Sequence, residues 1–284
     1  MVPRFEYYPT RSVDEALTLL AEREGSEVVA GATNTLVDAR ARRKIPKAVI
    51  DINRLGDLRY ARRDDGTIRL GARTTLTDCF SLPFFAEEAP VLEMMAAEFA
   101  GTLIRNRATL AGNIAYASPA ADVVPPLLAL GATIAVTSKA RGSRALLLAD
   151  FILGPRKTAL AQDEIITELA FPADGETKSG YFKFALRNAM AISLVSGAVV
   201  LRMEGKRIRE AGLALGAVAP KPYRVTQAEE LLKGQAPTDA LIREVARVAA
   251  ATATPISDIR ASAEYRREMT EVMTRRIIER ALSS

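Results

Sequence analysis

Residues Ile104 to Asp122 read I-R-N-R-A-T-L-A-G-N-I-A-Y-A-S-P-A-A-D. The run is dense in small residues and poor in apolar anchors, and it sits mid-chain between more apolar segments. That composition reads as a loop rather than a core helix. Gly112 lets a backbone approach a partner with no Cβ in the way. Thr109, Asn113 and Ser118 add short polar side chains, and Asp122 adds a carboxylate. Such a loop can surround a phosphate-bearing ligand with main-chain N–H groups. On composition alone an ordinary turn is the commoner reading.

A second stretch shifts that balance. Val28 to Val37 reads V-V-A-G-A-T-N-T-L-V. An apolar, strand-like run ends at Gly31, small and hydroxylic residues follow, and Leu36 and Val37 resume an apolar pattern. Two such loops, each leaving an apolar strand, fit a cofactor gripped from two sides.

The chain bounds the chemistry by what it lacks. Among 284 residues there is one cysteine, Cys79, and no histidine. One cysteine cannot hold an iron–sulfur cluster, a zinc finger or an internal disulfide. Without histidine, the Ser-His-Asp and Cys-His nucleophile systems and His-ligated metals are excluded. Any redox chemistry must then rest on a bound organic cofactor. No run approaches the roughly 20 apolar residues of a membrane span, and the start lacks an apolar signal core, so a cytoplasmic protein is expected. The net charge of +5 is interspersed with acidic residues, which argues against a nucleic-acid stripe.

Read in order, Ser12 and Glu15 form an S-x-x-E capping box. Val13, Ala16, Leu17, Leu20 and Ala21 follow at helical spacing, and Gly25 stops the helix. Glu27–Ala30 and Ala48–Ile52 read as strands, with a helix over Leu36–Arg43 between them. Leu58–Gly71 reads as a hairpin turning at Asp64-Asp65-Gly66. A short helix covers Thr74–Phe80, Pro83 breaks the chain, and Val91–Phe99 is core. A helix continues over Leu127–Leu130. Ala132–Thr137, Ala145–Leu148 and Ile165–Phe171 read as strands of one sheet. Pro172–Ser179 reads as a linker. Beyond it, Tyr181–Leu186, Ala191–Met203 and Ile208–Ala217 predict an antiparallel meander. Thr226 and Glu229 form another capping box for a helix to Leu232. Leu241, Val245, Val248 and Ala249 stripe a second helix, and Tyr265, Met269, Val272, Met273 and Ile277 a third. Arg266 and its charged neighbours then decorate the solvent face of that third helix.

Taken together, six motifs resemble the FAD-binding medium subunit of molybdenum hydroxylases, the group of carbon monoxide dehydrogenase and bacterial xanthine dehydrogenase-like enzymes. They are F-E-Y-Y-P-x-x-S-x-x-E-A (Phe5–Ala16), A-G-A-T-N-T-L (Ala30–Leu36), V-I-D-I-N-R-L (Val49–Leu55), I-R-N-R-A-T-L-A-G-N (Ile104–Asn113), A-S-P-A-A-D (Ala117–Asp122) and S-D-I-R-A-S-A-E-Y-R-R (Ser257–Arg267). Each is weak alone. Their order and spacing over nearly the whole chain are specific.

The resemblance implies an α+β fold. Residues 1–57 and 58–174 would form a two-part FAD-binding domain of the type shared with vanillyl-alcohol oxidase-like flavoproteins. Residues 178–284 would add an antiparallel sheet with helices. It implies FAD as the cofactor, with no catalytic side chain and no metal in this chain. Val29, Ala30, Gly31, Ala32, Thr33, Asn34, Thr35 and Leu36 would line one side of the diphosphate. Ala108, Thr109, Ala111, Gly112, Asn113 and Ala115 would line the other. Asp122 would bond a ribityl or ribose hydroxyl, Lys183 would lie near the flavin ring, and Phe99 and Leu169 would give apolar contacts. From the residues alone, Asp122 equally caps the following helix and Lys183 is equally an exposed strand residue.

The implied partners are a molybdopterin-containing large subunit, a [2Fe–2S] small subunit and an external electron acceptor. The family usually has glycine where Ala32 and Ala111 stand here. If either position needs a left-handed backbone, alanine costs about 1 kcal/mol. Two other functions remain open at this point: a stand-alone flavin oxidoreductase, and a flavin-less structural subunit whose alanines mark a decayed site.

Overall fold

The computed structural model describes residues 2–173 and 175–283. The first lobe is a three-stranded parallel sheet built from β1 (Glu6–Pro9), β2 (Ser26–Val29) and β3 (Ala48–Asp51), in the order β1-β3-β2. Ile50 in the central strand pairs with Tyr8 on one side and Val28 on the other. Buried on both faces, β3 reads as a continuous apolar run. Helix α1 (Val13–Glu22) packs Ala16, Leu17 and Leu20 against this sheet. Its N-cap is Ser12, which accepts from the Glu15 amide at 3.1 Å; the Glu15 carboxylate reaches back to the Arg11 amide at 2.7 Å. Helix α2 (Thr35–Arg40) is short and leads from β2 towards β3.

The second lobe holds a five-stranded antiparallel sheet. β4 (Ala61–Asp64) and β5 (Thr67–Gly71) make the expected hairpin, and Asp65 and Gly66 adopt φ of +45° and +69° at its turn. The positive φ at both turn residues matches the strands' twist. A helical excursion follows: α3 (Leu76–Phe80), α4 (Pro83–Glu88), α5 (Pro90–Glu98), α6 (Thr102–Arg105), α7 (Leu110–Tyr116) and α8 (Val124–Ala129). Pro83 begins α4 rather than simply breaking the chain, because a first helical turn does not need its N–H. The sheet is completed by β6 (Thr133–Ser138) and β7 (Gly142–Leu147). Helix α9 (Leu148–Phe151) and the small hairpin β8 (Ile152–Gly154) and β9 (Lys157–Thr158) follow, then the long β10 (Glu164–Pro172). The strand order is β4-β5-β10-β6-β7.

The connection after β10 is shorter than the sequence suggests. β11 (Thr177–Ala185) begins inside the predicted linker, because Ser179 and Gly180 are buried within the sheet. β11, β12 (Ser193–Glu204), β13 (Arg207–Gly216) and β14 (Tyr223–Arg224) form a four-stranded antiparallel sheet, one short strand more than the predicted meander. One face packs on α10 (Thr226–Leu232), α11 (Asp239–Thr252) and α12 (Ala263–Ser283). The other face, with Tyr181, Ala198, Val200 and Ala214, joins the core of the second lobe. There the sheet lies so close to α8 that a Cβ on Gly212 would sit 2.0 Å from the Ala129 carbonyl oxygen.

Two helix readings need correction. α10 has no side-chain cap; Glu229 is turned into the fold, where it accepts from the Leu213 amide at 2.8 Å and from Arg224 at 2.9 Å through both oxygens. On α12 the buried stripe is Arg266, Thr270, Thr274, Ile277, Ile278 and Ala281, whereas Tyr265 is exposed. Arg266 is not a surface decoration. It reaches Asp258 at 2.9 Å and the Leu194 carbonyl at 2.8 Å. Both terminal nitrogens of the guanidinium are thus bonded, while its buried Nε has no partner among the described residues.

Candidate cofactor cleft

A cleft of about 530 Å³ runs between the first and second lobes. That is within the range of small-molecule sites. The loop leaving β2 forms one wall and the segment around α7 the other. The two walls touch. A Cβ on Gly31 would lie 1.9 Å from the Arg107 carbonyl oxygen and 2.6 Å from its carbon, both main-chain atoms. Only glycine permits that approach. Arg107 also reaches back, its Nε donating to the Gly31 carbonyl at 3.5 Å.

The stretch read as a loop from Ile104 is partly helical, and this corrects the sequence reading. Thr109 caps α7, its hydroxyl accepting from the Gly112 amide at 2.9 Å, and Leu110, Ala111 and Ile114 bury one face. A threonine cap and three apolar contacts override a glycine in the middle of the helix. Ala117, at φ +48°, ends it. Ala111 is therefore in ordinary helical backbone. Ala32, by contrast, has φ +55°.

The first loop offers main-chain donors. Among the described residues, the amides of Gly31, Ala32, Thr33, Asn34 and Thr35 donate to no protein acceptor, and all five residues line the cleft. Opposite them, the buried Asn113 Oδ1 has no partner among the described residues. Unpaired amides attract an anion, and an unpaired amide oxygen attracts a hydroxyl or amine. Phe99, Ile104, Ala72, Ile165 and Ile166 add apolar wall. A dinucleotide with a diphosphate, sugar hydroxyls and a flat ring system fits such a surface.

Of the residues proposed from sequence, Val29 to Thr35, Phe99, Ala108, Thr109, Ala111, Gly112, Asn113 and Ala115 line this cleft. Four do not. Leu36 lies in the first turn of α2 and is 42% exposed, outside the cleft lining. Leu169 is core on β10. Asp122 and Lys183 are bound to each other at 2.6 Å; the second Asp122 oxygen takes the Ser193 hydroxyl at 2.6 Å, and Lys183 also reaches the Glu98 carbonyl at 3.4 Å. Lys183 is thus buried, not an exposed strand residue. The pair sits one residue from cleft-lining Phe99. Burial pushes the Glu98 carboxyl up, against the pull of Lys183. Tyr181 lies beside this group with an unpartnered hydroxyl, which burial, Asp122 and Glu98 all push well up.

Sequence reasoning missed the third wall. Arg156, Thr158, Leu160, Ala161 and Gln162 come from the β8–β9 hairpin and the turn after it, and Asp38 and Tyr116 from α2 and α7. The G-P-R-K-T run at 154–158 carries a turn signal but no pattern that points into a cleft. Asp38 is buried, which pushes its carboxyl up. Hydrogen bonds from Arg156, Tyr116 and Arg43 outweigh that and hold it below the usual range.

Comparison with known proteins bears on this cleft. The family described as "FAD binding domain in molybdopterin dehydrogenase" matches residues 3–174, and "CO dehydrogenase flavoprotein C-terminal domain" matches residues 180–281. The glyceraldehyde dehydrogenase medium chain of Sulfolobus acidocaldarius is 32% identical over 96% of both chains. The carbon monoxide dehydrogenase medium chain of Hydrogenophaga pseudoflava is 31% identical over 98% of this chain and 97% of its own. The solved carbon monoxide dehydrogenase of the same organism, in a form lacking the Mo-pyranopterin moiety, superposes with a TM-score of 0.96 at 31% identity, over 100% of this chain and 99% of that one. Quinoline 2-oxidoreductase from Pseudomonas putida 86 superposes with a TM-score of 0.93 at 27% identity.

Proposed function

Since the chain belongs to the FAD-binding medium subunits of molybdenum hydroxylases, we propose that it is the electron-transfer flavoprotein of a heterotrimeric enzyme. One partner subunit would carry molybdopterin and the substrate site, and another the [2Fe–2S] clusters. When bound, FAD would supply the redox chemistry that links those clusters to an external acceptor.

This chain's own residues hold, orient and enclose. The free amides from Gly31 to Thr35 bind the diphosphate. Asn113 bonds a sugar or base group. Phe99, Ile104, Ile165 and Ile166 exclude water from the ring system. The buried Lys183–Asp122 pair lies next to Phe99 and places a fixed charge pair at that end. The one cysteine, Cys79, is fully buried, which suits a chain that carries no metal centre of its own. The reading also includes the vanillyl-alcohol oxidase-like descent of the two-lobed domain. The single observation that carries the proposal is the row of five unpaired amides facing α7 across a cleft pinned shut at Gly31.

The test is co-purification. The chain expressed with its neighbouring subunits should show a flavin absorption band at one FAD per chain, bleached when the enzyme's substrate is added without air. A complex without a flavin band, or a band that substrate never bleaches, overturns the reading.

A further inference from the structure

The third wall of the cleft carries an ion cluster that joins the two lobes. Asp38, on α2 of the first lobe, is 3% exposed. Its Oδ2 accepts from Arg156 Nη1 at 2.5 Å and from the Tyr116 hydroxyl at 3.0 Å, and its Oδ1 from Arg43 Nη1 at 3.3 Å. Arg43 belongs to the same lobe, but Tyr116 and Arg156 belong to the second. Their own geometry is fixed in turn. The Arg156 guanidinium lies over the Tyr116 ring at 4.1 Å, and the Arg156 amide donates to the Ala117 carbonyl at 2.9 Å. Arg156 holds φ of +60°, a conformation that surroundings must enforce.

The first-lobe end of the bridge leads directly to the diphosphate loop. The Asp38 amide donates to the Asn34 carbonyl at 2.9 Å, one turn back. A continuous path therefore runs from the loop through Asp38 to α7 and the β8–β9 turn. A buried carboxylate is costly unless its partners stay in place, so the cluster has one favoured arrangement rather than a continuum.

We propose that Asp38, held across the cleft by Arg156 and Tyr116, is a latch that fixes the Gly31–Thr35 loop in its cofactor-binding position. Asp38 and Arg156 are then positioning residues. Opening the latch lowers the share of molecules whose loop is in place, and apparent FAD affinity falls by the same factor. This inference rests on FAD binding in this cleft.

The test uses the full chain stripped of FAD, with FAD as the titrant. Wild type should bind one FAD; if it does not, the underlying functional reading fails, whatever the variants do. Given wild-type binding, Asp38→Asn and Arg156→Met should each weaken FAD about tenfold, and the double variant should be no weaker than either single, as expected of residues acting as one unit. In the FAD-free protein, hydrogen exchange should accelerate in Asp38→Asn at the Leu36 and Asp38 amides, which donate to the Ala32 and Asn34 carbonyls of the loop, while the β11–β13 sheet keeps its protection. The proposal is overturned by variants that bind FAD within twofold of wild type, by additive losses in the double variant, or by exchange that accelerates throughout the chain.

Discussion

Replacing Gly31 with alanine should pull the cofactor cleft apart. The new Cβ would stand 1.9 Å from the Arg107 carbonyl oxygen, where ordinary contact begins at 3.4 Å. The walls must separate by the difference, about 1.5 Å, because both contacting groups are main chain and neither can rotate away. Overpacking of this kind costs about 1–3 kcal/mol. The larger effect falls on the cofactor. A displacement of that size breaks at least one main-chain hydrogen bond to an anionic group, worth about 1.5–3 kcal/mol, or roughly ten- to hundred-fold in affinity. Titrating FAD-free Gly31→Ala with FAD and following flavin fluorescence reads the affinity, and thermal unfolding without FAD reads the packing cost. A variant that binds FAD like wild type and unfolds at the same temperature would refute the idea that these two walls meet at Gly31.

Restoring the family's usual glycines should have opposite effects. Ala32→Gly relieves a left-handed backbone and should stabilise by up to about 1 kcal/mol, whereas Ala111→Gly removes a buried methyl from α7 and should destabilise by about 1 kcal/mol or more; urea unfolding of the two variants reads both signs. Lys183→Met strands the buried Asp122 carboxylate and should cost about 3–5 kcal/mol, most of it recovered in Asp122→Asn/Lys183→Met on the same urea assay. Asp258 is partly buried, which pushes its carboxyl up, but the Arg260 amide and the Arg260 and Arg266 side chains outweigh this and take it from 3.8 down to about 2. A depressed folded value stabilises above the unfolded one, so about 2 kcal/mol present at neutral pH should be lost as pH falls from about 4 to about 2. Asp258→Asn should flatten that part of the stability–pH curve.

Local chemistry was legible where the signal is local. Ser12 with Glu15, Asp65-Gly66 and the apolar run of β3 each predicted their element, because a cap, a turn and a buried strand are set by residues a few positions apart. The two walls of the cleft were legible as small-residue stretches for the same reason. What failed depended on distant partners. Composition hid α7, whose stability comes from packing Leu110 and Ile114 against a remote core. Glu229 imitates a capping box but finds Leu213 and Arg224 instead. Arg266 looks like a surface charge until Asp258 and the Leu194 carbonyl close around it. Asp38 and Arg156, 118 residues apart, carry no pattern that links them in the sequence.

An experimental structure of the FAD-loaded chain puts the whole account at risk in one step. The diphosphate should lie between residues 31–35 and 109–113, with the ring system extending towards Phe99. Density for the dinucleotide anywhere else, or a chain that takes up no FAD at saturating concentration, would contradict it.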